Sequence, residues 1–254
     1  MATRRQEDIV TVEQDLGSVG GQAVLRAERR LRERSDELLA DLEMHVAMAT
    51  DLDLPLAARE QTRDALAEFC TRRMVTHLLA VDQILYSIAA ASVETRLLAS
   101  ALRAQHDLIA ARVAELLRAD SSAEVAASAH AVLGLMQVCH YTEQRVLLPA
   151  LAHLSGVDLV ALVNDIEALL AGESLETPAE IDVREIPLTR RYPQVFAASA
   201  RLAAGQAFVL VGSHDPQRLR EELQSAYPGR FGWDYLEAGP ERWRVRIARR
   251  PEGV

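Results

Sequence analysis

Gly172-Glu-Ser-Leu-Glu-Thr-Pro-Ala179 divides this chain in two. The stretch has no apolar periodicity and carries Pro178, so it reads as a linker. On its N-terminal side, apolar residues recur three and four apart among Ala, Leu, Arg and Glu, the period of an amphipathic helix. That pattern predicts helices over residues 22–50, 56–90, 94–118, 122–152 and 158–171, within a helical domain of residues 22–171, with 1–21 a flexible extension ahead of it. Pro55 suits a first helical turn, Ser121 or Ser122 a cap, and Gly156 a helix end. Beyond the linker the composition changes: both tryptophans and three of the four phenylalanines lie there. Residues 181–185, 206–212, 231–237 and 242–248 read as strands, and 192–202 and 215–226 as helices, with Ala238-Gly239-Pro240 a turn. The expected fold is an all-α four-helix bundle, up-down-up-down, followed over residues 180–250 by a small α+β two-layer sandwich of order β-α-β-α-β-β.

The 254 residues are 49% hydrophobic and 26% charged, which excludes a disordered chain. Two cysteines, Cys70 and Cys139, make no disulfide scaffold. No 18 consecutive uncharged apolar residues occur, and residues 1–8 have the Arg and Glu of no secretory signal, so the expected compartment is the cytoplasm, with no membrane partner. Net charge is −9, but residues 180–254 hold 12 Arg against 10 acids, which leaves −11 on the first 179. An acidic helical domain repels phosphate backbones, which argues against nucleic acid as a partner. All 28 basic residues are Arg, to which no functional weight attaches.

Six of the seven histidines fall in the helical part. Antiparallel helices advance about 1.5 Å per residue, so residues equidistant from a connecting turn share a height. Reflecting His77 about the turn near Ser92 lands one residue from His106. Reflecting His106 about the turn near Asp120 lands between His130 and the Cys139/His140/Glu143 group. His45 falls roughly 20 Å from that layer. Facing agrees with height. The apolar stripes run Leu66, Cys70, Met74, His77, Val81, Ile84, Ile88 on the second helix and Leu98, Leu102, His106, Ile109, Val113, Leu116 on the third. On the fourth the stripe is Val132, Met136, Cys139, Glu143, Val146, Ala150. His77, His106 and Glu143 thus interrupt greasy stripes at mid-helix, where a carboxylate is costly unless paired or metal-bound. Two histidines and a carboxylate converging between helices can hold a metal, with Cys139, His140 or Asp82 as further ligands. The plainer alternative is a hydrogen-bonded set of packing residues. His45, His130 and His153 read as surface or packing residues.

Three segments carry a family resemblance: His77-Leu-Leu-Ala-Val-Asp-Gln-Ile-Leu-Tyr86, Gln105-His106-Asp-Leu-Ile and Glu143-Gln-Arg-Val-Leu-Leu-Pro149-Ala-Leu. Through them, residues 22–153 resemble the bacterial hemerythrin-like (HHE) cation-binding domains. The resemblance implies a four-helix bundle holding non-haem iron through histidines and carboxylates, and handling dioxygen, nitric oxide or iron. His77, His106 and Glu143 match ligand positions on the second, third and fourth helices. Val81 stands where the family has the glutamate of its His-x-x-x-Glu motif, with Asp82 beside it. The fourth-helix histidine falls on Cys139, with His140 one step off, and the first-helix histidine falls near Arg34 or Ser35. About three family ligands remain, which implies an altered mono-metal site, a haem held by His77 or His106, or a retired site kept as scaffold.

The second part is similar to the module that often follows such bundles, whose fold looks like the TusA/SirA sulfur carriers. The matching segments are Ile181-Asp-Val-Arg-Glu-Ile-Pro187, Phe208-Val-Leu-Val-Gly-Ser-His214-Asp-Pro216 and Gly239-Pro-Glu-Arg-Trp-Arg-Val-Arg-Ile247. Sulfur carriage needs a thiolate, and this part has no cysteine. Asp215 is expected to cap a helix whose free N–H groups suit an anion, with His214 packed at the strand end. Adjacent Ser213-His214-Asp215 cannot form a triad. With no glycine-rich phosphate loop and no CxxC pair either, an enzyme is disfavoured. The expected function is sensing or scavenging of a small gas or of iron; the alternative is a metal-free or haem-binding scaffold whose C-terminal module meets a protein partner.

Overall fold

Ser121 opens a helix with a reciprocal cap: its hydroxyl accepts from the Glu124 amide, and the Glu124 carboxylate accepts from the Ser121 amide. Local signals of this kind place the helices of the computed structural model, which describes residues 3–251, with side chains from Gly20 onward except Thr189. Helix α1 is Thr3–Thr50, so most of the stretch ahead of residue 22 continues the first helix. Gly20 and Gly21, which mark a boundary by propensity, are simply carried through it. Helix α2 is Leu56–Ala91 and contains two π-turns, Cys70–Met74 and Asp82–Tyr86. Helix α3 is Arg96–Arg118. Helix α4 runs from Ser122–Thr142 through a π-turn, Glu143–Leu147, into Leu148–His153. Helix α5 is Leu159–Leu170, capped by Asp158, whose carboxylate accepts from the Ala161 amide at 3.1 Å.

α1 packs on α2, α4 and α5, and α3 packs on α4 and α2. The most apolar 18-residue window of α2 meets the length and composition of a membrane span, yet 67% of it is buried inside the protein. Its apolar side chains are spent on the core.

The C-terminal part is α+β. Strands β1 (Glu180–Asp182), β2 (Ala207–Gly212), β3 (Phe231–Ala238) and β4 (Trp243–Arg249) form one sheet of order β1-β2-β4-β3. β1 and β2 are parallel, joined by α6 (Leu188–Arg201), and the other pairs are antiparallel. Helix α7 is Gln217–Ala226. The β3–β4 hairpin turns at Gly239, whose φ of +62° favours glycine and where a Cβ would come within 3.0 Å of the Trp243 ring. Two sequence expectations fail locally, since His214 is exposed rather than packed at the strand end and Asp215 is not the helix cap. Pro216, not Asp215, is the N-cap of α7, and the Asp215 carboxylate instead accepts from the Tyr235 hydroxyl at 2.7 Å.

α6 also packs against the end of α2, so the last turns of α2 are enclosed from two sides. Residues 84–90 are buried without a break, where a one-sided helix would alternate. The seam is polar at its edge. Gln83 Nε2 donates to the Ala200 carbonyl (2.7 Å), and Arg103 Nη1 to the Ala226 carbonyl (3.2 Å).

A candidate metal centre

Cys139 and Glu143 lie four residues apart on α4, so they share a face one turn apart. That face meets His106 of α3, and the Nε2, Sγ and carboxylate atoms of the three residues lie within 4.8 Å of one another. A fourth group stands among them. The Tyr86 hydroxyl is 3.0 Å from His106 Nε2 and 3.7 Å from Cys139 Sγ, and it donates to Glu143 Oε1. Cys139 Sγ is 3.8 Å from the same carboxylate oxygen. Three helices thus bring one nitrogen, one sulfur and two kinds of oxygen to a single point.

Two π-turns do this positioning. Tyr86 closes the π-turn of α2 and Glu143 opens that of α4. A π-turn adds one residue to a helical turn and swings the residues beyond it onto a new face, which is why such turns collect at functional sites.

The site is dry. Tyr86, Cys139 and Glu143 are 0%, 1% and 8% exposed. A cavity of about 10 Å³ beside Glu143, lined also by Ser35, Val81 and Leu85, is at the lower limit for one water molecule. Burial drives every member toward its neutral form. It raises the Glu143 carboxyl to about 7 and the Cys139 thiol to about 12, and lowers the His106 imidazole to about 4. The Tyr86 hydroxyl is raised as well, by burial first and by the Glu143 carboxylate second.

Of the six ligands expected from the sequence, His106, Cys139 and Glu143 come together and three stand apart. Asp82 is taken by guanidiniums: Arg103 Nε lies 2.6 Å from one oxygen and Arg230 Nη1 3.6 Å from the other. His140 points toward α1 and donates to Asp36 at 2.7 Å. His77 is buried but contributes no atom to the cluster. His45 stacks on Phe69, with ring centroids 4.8 Å apart, and His130 and His153 donate to carbonyls one turn back on their own helix. The member that sequence reasoning missed is Tyr86. Its signal was present, since it ends the same segment that begins at His77, but a regular 3.6-residue period from Ile84 and Ile88 turns it away from the core.

The donor set bears on what the site can hold. Ligand atoms of His106, Cys139 and Glu143 within 4.8 Å of one another, with the Tyr86 hydroxyl among them, are close enough to share one ion. They are too few for two. Imidazole and thiolate suit zinc or iron over calcium or magnesium.

Residues 180–249 match the family described as "Uncharacterized conserved protein (DUF2249)". No curated protein matches the chain, and no solved structure does.

Proposed function

We propose that the helical region is a hemerythrin-like, up-down-up-down four-helix bundle that binds a single transition-metal ion, iron in the first instance. His106, Cys139 and Glu143 are the ligands, and Tyr86 serves as a fourth ligand or as hydrogen-bond partner to Glu143. The observation that carries this reading is the convergence of four donors from α2, α3 and α4 on one largely buried point. Bound iron supplies the affinity for dioxygen or nitric oxide that no side chain offers. The residues supply the rest. Glu143 and Cys139 give up protons as an ion enters, and Tyr86 holds Glu143 in place. The role that fits is sensing or scavenging of such a gas, or of iron itself. The C-terminal part, read as a TusA/SirA-like module without its cysteine, then passes occupancy to a partner and does no chemistry.

The His106→Ala variant tests the proposal. Metal analysis of protein purified from iron- and zinc-supplemented cells is expected to find about one ion per chain in the parent, none in His106→Ala, and the parent value in His45→Ala. An equal loss from both variants, or no metal in the parent, overturns it.

One observation favours a second reading. The Tyr86 hydroxyl already satisfies Glu143 and His106, and a closed hydrogen-bond network needs no ion. A scaffold of this kind melts at one temperature with or without added iron, whereas an ion that binds only the folded form raises the melting temperature by mass action.

A further inference from the structure

His77 stands outside the cluster, and its surroundings differ in kind. The residue is 5% exposed, and its ring makes no hydrogen bond among the described residues. Its ring nitrogens are not sealed from solvent, so its N–H is open to a ligand that enters beside it. The ring lines a pocket of about 380 Å³ between α1, α2 and α5, within the range for small-ligand sites.

The rest of the polar lining is Arg34, Glu37, Arg72, Arg73 and Thr76. Three guanidiniums and one carboxylate line the wall, and two of the guanidiniums also face acids outside it. Arg72 is braced by Glu68 at 3.0 Å and Arg73 by Asp41, and neither acid lines the pocket. Arg34 has no partner among the described residues. Arg72 and Thr76, and Arg73 and His77, are one turn apart on α2, over its first π-turn, Cys70–Met74. Leu38 and Leu170 are the two apolar lining residues, too few for the flat apolar faces of a porphyrin.

We propose that this pocket binds a small phosphate-class oxyanion, orthophosphate or a phosphate monoester. The His77 N–H donates from the floor and the three guanidiniums close on the oxygens. A neutral imidazole is enough, because one ring nitrogen carries hydrogen in either tautomer. None of the four donors of the metal proposal takes part.

Orthophosphate is the probe, titrated against chloride at matched ionic strength and followed by histidine-ring NMR and by melting temperature. A saturable shift is expected on one ring, identified as His77 by its loss in His77→Gln, with a rise in melting temperature that chloride does not give. Arg34→Gln, an exposed change on α1, and Arg72→Gln are each expected to weaken binding about tenfold, and His130→Gln to leave it unchanged. A shift that grows linearly with concentration, that chloride reproduces, or that survives both arginine changes overturns the proposal. Metal content is read separately in the same samples, so failure of one site does not imitate failure of the other.

Discussion

Two carboxylates lie at the ends of two polar clusters that share one π-turn. Asp82 opens that turn and faces outward into the seam with the C-terminal part, where Arg103 and Arg230 neutralise it. Tyr86 closes the turn and faces inward to Glu143, which has only neutral neighbours: a phenol, a thiol and an imidazole. The guanidiniums have already answered Asp82, so nothing is left for a ligand to do there. Glu143 has been given hydrogen bonds but no counter-charge. A buried acid in that position either keeps its proton or takes a cation, and this contrast separates a structural latch from the proposed binding site.

The largest effect is expected where a full charge loses its partner. Asp82→Ala leaves Arg103 wedged in the seam beside the Tyr227 ring, 5.0 Å from its centroid, with no acid to face. Some solvent reaches the pair, so the cost is about 2–3 kcal/mol rather than that of a fully buried bridge. Urea unfolding measures it. Metal content should stay at the parent value, because Asp82 is not among the proposed ligands and is held by Arg103 and Arg230. A loss of metal in Asp82→Ala would erase the distinction between latch and site.

The inward cluster should instead show in the pH dependence of the metal-free protein. Glu143 holds its proton up to about 7 in the fold and loses it near 4.5 when free. Between those values the folded state carries the extra proton, so this group makes stability fall as pH rises. His77 and His106 act oppositely: they protonate near 4 in the fold and 6.5 when free, so each makes stability rise with pH over that window. Two rising contributions against one falling give a net gain of about 1.4 kcal/mol per pH unit between 4.5 and 6.5. Glu143→Gln removes the falling one and should about double the slope. An unchanged slope would mean that Glu143 titrates as an ordinary exposed acid.

The same π-turns explain why some of the site could be read from the sequence and some could not. Helix positions and the succession of strands and helices along the chain were legible because periodicity and caps are local, and Ser121 with Glu124 forms the cap that the letters suggest. His106, Cys139 and Glu143 were legible because each precedes any break in the 3.6 period on its own helix. Past Glu143 the expected stripe slips by one: Val146 is 49% exposed, and Leu147 and Leu151 take the buried positions. On α2 the expected stripe stays buried, and Tyr86 joins it because residues 84–90 are enclosed on every side, while no composition rule marks where a helix takes on an extra residue. His77, read as a ligand by height and face, shares the stripe but not the meeting point. Pairing of Asp82 with Arg230 was out of reach as well, because it depends on where the C-terminal part docks.

The smallest effect compares two tyrosines on either side of the seam. Tyr86 donates to Glu143 and meets His106, so Tyr86→Phe strips a buried carboxyl of its partner and should cost about 1–2 kcal/mol. Tyr227 is as deeply buried, but its hydroxyl has no well-formed hydrogen bond, and its ring does its work against Arg103 and Phe231. Tyr227→Phe keeps that ring and removes an unsatisfied oxygen, so its stability should stay within about 0.5 kcal/mol of the parent or rise slightly. Paired urea titrations at pH 7 decide between them. Equal costs would mean that the Tyr86 hydroxyl contributes only its volume; the inward cluster would then be packed rather than bonded, and Glu143 would lack the support that keeps its carboxylate aimed at a shared point.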